Sequence, residues 1–158
     1  MEPVNMLSVQ LERDADDPAA YEAGYARLGP LLGSRELGGT VYELEPGNSN
    51  CPYHYEHGNE EWLLVLSGTL TVRHPGGETQ LSTGDLVAFP DGPDGAHKCT
   101  NKGSGATRFV IFSTKVDPSM AVYPDSDKIG AWPGPGGVED KVLVRRDSVV
   151  GYWDGELG

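Results

Sequence analysis

Cys51-Pro52-Tyr53-His54-Tyr55-Glu56-His57-Gly58-Asn59-Glu60-Glu61-Trp62-Leu63-Leu64-Val65-Leu66-Ser67-Gly68 sets two histidines and three carboxylates around the start of a strand-like apolar run. His54 and Glu56 are two apart, so an extended backbone sends both side chains off one face. Gly58-Asn59 reads as a turn, and a hairpin closed there sets Glu61 opposite that pair on the returning strand. The parity of Glu61, Leu63 and Val65 gives Glu61 the apolar side of its strand, where an unpaired charge is costly. His57 has the opposite parity to His54 and is expected outside the site. A second stretch, Gly84-Asp85-Leu86-Val87-Ala88-Phe89-Pro90-Asp91-Gly92-Pro93-Asp94-Gly95-Ala96-His97-Lys98-Cys99-Thr100-Asn101, opens a short strand at His97 directly after a Gly/Pro turn. Imidazoles and carboxylates converging from separate strands make a metal site. The expected ligands are His54, Glu56, Glu61 and His97.

These two stretches resemble the paired motifs of the cupin superfamily. Glu61, six residues and Gly68 match the close of the first motif. Gly84, five residues, Pro90-x-Gly92, His97, three residues and Asn101 match the second, with four residues instead of two between glycine and histidine. Glu56 stands where the first motif has its second histidine, which leaves open whether it binds metal, accepts a hydrogen bond from a ligand histidine, or acts as a catalytic general base. The resemblance covers roughly residues 38 to 115. It implies an all-β fold, a single jelly-roll β-barrel of the RmlC-like kind, and together with the tail it resembles small single-domain bacterial cupins.

The rest of the chain agrees with a β fold. Its 158 residues suffice for one core, and 22 glycines and 12 prolines suit short strands joined by turns. Strands are expected over Thr40–Leu44, Glu61–Leu66, Thr69–Arg73, Leu86–Phe89 and Thr107–Ser113. Before residue 38, Leu7–Leu11 alternates like a strand. Asp17-Pro18 reads as a helix start, with Tyr21, Tyr25 and Leu28 on one face and Gly29-Pro30 at its end. The expected organisation is an N-terminal arm (1–37), a barrel core (38–115) and a C-terminal extension (116–158) packed on the barrel or a partner. In that extension Pro133 to Gly137 reads as a loop, Lys141–Arg146 as a last strand, and Tyr152-Trp153 as an aromatic tail.

Net charge −12 argues against nucleic acid and anionic membrane surfaces as partners. No apolar run reaches membrane length, and Met1-Glu2-Pro3 begins no signal peptide, so a cytoplasmic protein with reduced thiols is expected. Cys99 reads as a small core residue, Cys51 as structural, and Asn101 as the tie of a turn. Tyr42, Leu63, Phe89, Phe109 and Ile111 are candidate cavity wall. The chain has neither a phosphate-cradling loop ahead of a helix nor a serine in a nucleophile elbow.

Two imidazoles and two carboxylates would neutralise one divalent ion per chain, with Fe(II) or Mn(II) favoured and Zn(II), Ni(II) or Co(II) also suited. Open coordination positions then serve Lewis-acid or oxygen-activating chemistry on a small-molecule substrate. The resemblance implies an enzyme of dioxygenase, isomerase/epimerase or decarboxylase/lyase type, an oxidoreductase among them, and a homodimer. The alternative is a small-molecule-binding or sensing barrel without catalysis.

Overall fold

The computed structural model describes residues 2–134 and 141–156. Its strands are β1 (Ala23–Arg27), β2 (Leu37–Leu44), β3 (Tyr55–His57), β4 (Glu61–Ser67), β5 (Thr69–His74), β6 (Gly77–Ser82), β7 (Leu86–Phe89), β8 (Lys98–Thr100), β9 (Thr107–Thr114), β10 (Ser119–Tyr123), β11 (Lys128–Trp132) and β12 (Val142–Arg145), with one short helix, α1 (Leu28–Leu32). Every named pairing is antiparallel. One sheet runs β1-β2-β9-β4-β7, a second β12-β11-β10-β3 and a third β6-β5-β8. A single pairing of His54 with His97 joins the second and third sheets, and one of Ser49 with Thr100 lays the β2–β3 connection on β8. The result is the jelly-roll barrel expected from the motifs.

The central strand β9 is apolar on both faces, and both are used. Phe109 and Ile111 point inward with Leu44, Leu63, Val65, Leu70 and Cys99. Val110 points outward onto Val41, Ala26 and Leu28, where Val4, Met6, Val9 and Leu11 cover it. Val4, Met6, Val9 and Leu11 are only partly buried, so each contributes less than the ~1.5–3 kcal/mol of a fully buried apolar side chain, but together they make the N-terminal residues part of the structure. Arg108 fastens them by donating to the Met6 and Leu7 carbonyls while pairing with Glu43 at 3.1 Å.

The sequence misleads at four places. Leu7–Leu11 forms a turn and an irregular segment, not a strand, in which Val9 and Leu11 pack on the sheet while Leu7 stays exposed. The helix expected after Asp17-Pro18 shrinks to one turn, Ala19–Tyr21. Gly24 and Tyr25 instead lie in β1, paired with Glu43 and Tyr42, and the Leu11 side chain sits 3.1 Å from where a Gly24 Cβ would be. Gly29-Pro30 falls inside α1, in the first turn where proline is tolerated, and Gly33 closes the helix at φ 67°. Finally, Gly58-Asn59 does not close a hairpin. β3 pairs with β10, while β4 already has β7 and β9 on its two edges.

Residues after 115 supply β10 and β11 beside β3, and β12 forms the edge. In the tail beyond it Tyr152 is 85% and Trp153 64% exposed, with their ring centroids 4.7 Å apart. Of the expected loop Pro133 to Gly137, residues 135–137 lie outside the described residues.

Candidate metal centre and its cleft

His54 and His97 face each other across the joint between the second and third sheets. Each backbone N–H donates to the other's carbonyl, at 3.1 Å for His54 N and 2.8 Å for His97 N. Directly opposed residues of an antiparallel pair share a face, so the two imidazoles lie side by side with centroids 4.8 Å apart. Their ring tautomers are fixed from behind. His54 Nδ1 lies 3.0 Å from the Pro52 carbonyl and His97 Nδ1 2.9 Å from the Gly95 carbonyl. An Nδ1 proton donated to a carbonyl leaves Nε2 as a lone pair for another partner. The Phe89 ring stacks on His97 at 3.7 Å and 8°, and Tyr123 stacks on His54 at 5.8 Å.

Glu61 arrives from the opposite sheet. It opens β4 on the inward side with Leu63 and Val65, cross-strand from Phe89 and Ser113. Its Oε2 lies 3.4 Å from His97 Nε2. That distance would admit an ion pair, but burial drives both groups toward their neutral forms. The Glu61 carboxyl is pushed up to about 8 by burial and by the nearby Glu56 charge. His97 is pushed down to about 4 by burial and by His54, and burial lowers His54 as well. Among the described residues His97 Nε2 is left buried with no hydrogen-bond partner.

Ligand atoms of His54, Glu61 and His97 all lie within 4.8 Å of one another, so this cluster can hold a metal ion. An orphaned Nε2, a second imidazole with its Nδ1 already committed, and a carboxyl whose proton a cation can displace fit that role. Glu56 stands apart from the three. Its Oε2 accepts a 2.7 Å hydrogen bond from Asn59 Nδ2, and Asn59 Oδ1 in turn accepts from Val116 N at 3.0 Å. His57 pairs at 3.3 Å with Asp91 on the surface, away from the cluster.

In front of His54 opens a cleft of about 650 Å³. Glu56, Ala121, Tyr123 and Trp132 form its walls, with Ser34, Arg35, Lys115, Asp117 and Ser119 toward the rim. Its walls therefore come largely from β10 and β11 and not from the expected Tyr42, Leu63, Phe89, Phe109 and Ile111. Of those five, Leu63, Phe89, Phe109 and Ile111 belong to the core with Tyr42 packed against them, and Phe89 supports His97. Cys99 is also core. Cys51 is closer to the site than its parity suggested: its Sγ lies 3.6 Å from His54 Nδ1. Burial and the Glu61 charge push that thiol up to about 12, so it stays protonated. Asn101 ties its turn as expected, donating to the Leu44 and Gly105 carbonyls and accepting from Gly103 N.

With this geometry in place, known proteins supply a family. Residues 40–113 match the model of the cupin domain. This stretch is a cupin domain. A search of curated protein sequences finds no match to this cupin. Among solved structures, a sugar phosphate isomerase of the cupin superfamily from Silicibacter pomeroyi superposes with TM-score 0.78 at 24% identity, covering 97% of this chain and 98% of that one. A protein from Acidithiobacillus ferrooxidans, given the same activity provisionally, superposes at 0.79 and 24% identity over 92% and 90% of the two chains. A polyketide cyclase from Streptomyces resistomycificus reaches 0.58 at 22% identity, over 72% and 79%. At these identities the likeness establishes a shared fold. Among the described residues no helix is long and apolar enough to cross a membrane.

Proposed function

We propose that this cupin is a metal-dependent enzyme that moves a proton within a small hydroxy-carbonyl molecule, a reaction of the isomerase type. The observation that carries the proposal is His97 Nε2, buried without a partner and grouped with His54 and Glu61 behind an open cleft. A nitrogen-rich set with one carboxylate suits Fe(II) or Mn(II), and also Zn(II), Ni(II) or Co(II). When bound, such an ion supplies Lewis-acid polarisation of a substrate carbonyl.

The chain's own residues provide the rest. Glu56 sits on the cleft wall with one oxygen tied to Asn59, leaving Oε1 to accept a proton from the carbon beside the carbonyl. Glu56 acts here as the general base and not as a fourth ligand. Burial raises Tyr123 above the ordinary range of a phenol, so it remains a hydrogen-bond donor facing substrate oxygens. Trp132 lines the cleft and gives the substrate an apolar surface to lie against. The isomerase names of two structural relatives support the same class.

The test combines metal analysis of protein purified without chelator with solvent-deuterium incorporation, followed by NMR, into free and phosphorylated aldoses and ketoses. Near-stoichiometric metal in wild type and Glu56→Gln, with deuterium incorporation only in wild type, is expected. Metal-free wild type, or no incorporation into any sugar by metal-loaded protein, overturns the proposal.

A homodimer is proposed as well. Trp62, Leu86, Phe112 and Leu37 are exposed on the outer face of the five-stranded sheet, and covering them in a second copy would remove them from water. A monomer by light scattering would overturn it.

A further inference from the structure

We infer that the cleft takes a substrate ending in a phosphate monoester, held at the rim by Arg35 and Lys115. This rests on the cleft being the substrate site, and it assigns a chemical class to what enters.

The two cations come from neighbouring segments. Leu37 pairs with Thr114 at the start of the β2–β9 ladder, and one step beyond, Lys115 N donates to the Glu36 carbonyl at 3.0 Å. Ser34 braces the Arg35 side, donating from Oγ to the Leu37 carbonyl at 2.6 Å and from its N–H to the Gly29 carbonyl at 3.0 Å. Arg35 and Lys115 thus leave adjacent, hydrogen-bonded backbone at the mouth of the same cleft that His54 and Glu56 line.

Their charges are uncommitted. Elsewhere Arg73, Lys102, Arg108 and Arg146 each meet a carboxylate within 3.2 Å. Among the described residues, neither Arg35 nor Lys115 has a carboxylate at ion-pair distance. The acids on the cleft wall are Glu56, engaged by Asn59, and Asp117 at the rim. A chain of net charge −12 repels anions at long range, so an anionic substrate requires a local seat of this kind. Two cations match a phosphate monoester, which carries about −1.5 to −2 charges near neutral pH. The guanidinium fork suits its oxygens, and the ammonium adds a point charge. A cleft of about 650 Å³ has room for a phosphorylated small molecule.

The test titrates chelator-treated full-length protein with glycerol 1-phosphate, glycerate and glycerol, read by NMR shifts of backbone amides, so that the phosphate cannot sit on a metal. Glycerol 1-phosphate is expected to shift amides around Ser34–Glu36 and Lys115 and to bind more tightly than glycerate or glycerol. Its affinity should fall at least about tenfold in Arg35→Gln/Lys115→Gln and weaken as salt rises. Both residues are exposed, and an unchanged circular dichroism melt confirms that the variant folds. Unchanged affinity in the double variant, or equal binding of glycerate, overturns the inference. Metal content measured in parallel separates this result from the enzyme proposal. Phosphate binding that depends on Arg35 and Lys115 in a protein without metal would leave the seat standing and remove the metalloenzyme. Stoichiometric metal without phosphate binding would do the reverse.

Discussion

His54 and His97 are bonded twice through their backbones, N–H to carbonyl in both directions, and this places their rings together before any ligand is present. The joint between two sheets is therefore also the base of the metal centre. The backbone pairing sets the two Cα–Cβ directions and the Nδ1 contacts to the Pro52 and Gly95 carbonyls hold the rings, so the site is preorganised by the fold.

Metal retention should follow that geometry. His54→Ala, His97→Ala and Glu61→Gln each remove one of the three clustered ligand atoms, and elemental analysis of as-purified protein should show most of the metal gone. Glu56→Gln should keep it, because Asn59 holds that side chain outside the cluster. Loss of metal in Glu56→Gln would make Glu56 a ligand.

Metal-free protein should lose stability as pH rises above neutral. The Glu61 carboxyl titrates near 8 in the fold against 4.5 ordinarily. Between those values the native state keeps a proton that the unfolded chain has released, so stability falls with pH. His97, near 4 against 6.5, acts in the opposite sense: there the unfolded chain takes up a proton that the native state refuses, and stability rises with pH. His54, also lowered by burial, acts with His97, so the histidines oppose Glu61 below 6.5, and above 6.5 Glu61 dominates. Denaturant titrations of chelated protein should show roughly 2 kcal/mol lost between pH 6.5 and 8, a slope that Glu61→Gln flattens. Metal affinity should rise over the same interval, since binding displaces the Glu61 proton.

Asn59 is expected to act on Glu56 without touching the metal. It donates to Glu56 Oε2 and accepts from Val116 N, tying the β3–β4 corner to the connection between β9 and β10. Asn59→Ala should cost about 1–3 kcal/mol. Asn59→Asp, which removes the donor and adds a like charge, should slow turnover through kcat while metal content stays at the wild-type level. Metal loss in Asn59→Asp would mean that the corner positions Glu61 instead.

The barrel was legible because its strands announce themselves by alternation and by Gly/Pro turns, and three of the four expected ligands, His54, Glu61 and His97, carry the residue type that their motif position has. Glu56 was ambiguous because strand parity gives a face but not a reach, and the hydrogen bond from Asn59 decides where its carboxylate lies. The cleft walls were missed for a different reason. Ala121, Tyr123 and Trp132 belong to strands that have no motif, and only the pairing of β10 with β3 brings them to His54. The N-terminal error has a similar cause: Tyr21, Tyr25 and Leu28 have helical spacing, but β2 offers Tyr25 a partner strand, and tertiary pairing overrides local propensity.

Gly95 links backbone space to the metal centre. A Cβ built there would lie 1.8 Å from the Pro90 carbonyl oxygen and within 3.0 Å of the Pro90 carbonyl carbon and nitrogen. No rotamer relieves a clash with backbone, so the turn before His97 must shift. The same residue's carbonyl accepts the His97 Nδ1 proton, and a displaced carbonyl would release the ring orientation that presents Nε2 to the cluster. Gly95→Ala should therefore cost about 1–3 kcal/mol from overpacking and weaken metal binding as well, by roughly the 10- to 100-fold that loss of a supporting hydrogen bond brings. Gly92→Ala is the control, for it strains the same turn at φ 86° with nothing within 4 Å of its Cβ. It should lower the melting temperature while leaving metal affinity near wild type. Equal loss of metal affinity in both variants, measured by competition with a chromogenic chelator, would show that turn stability alone governs the site and that the Gly95 carbonyl has no separate hold on His97.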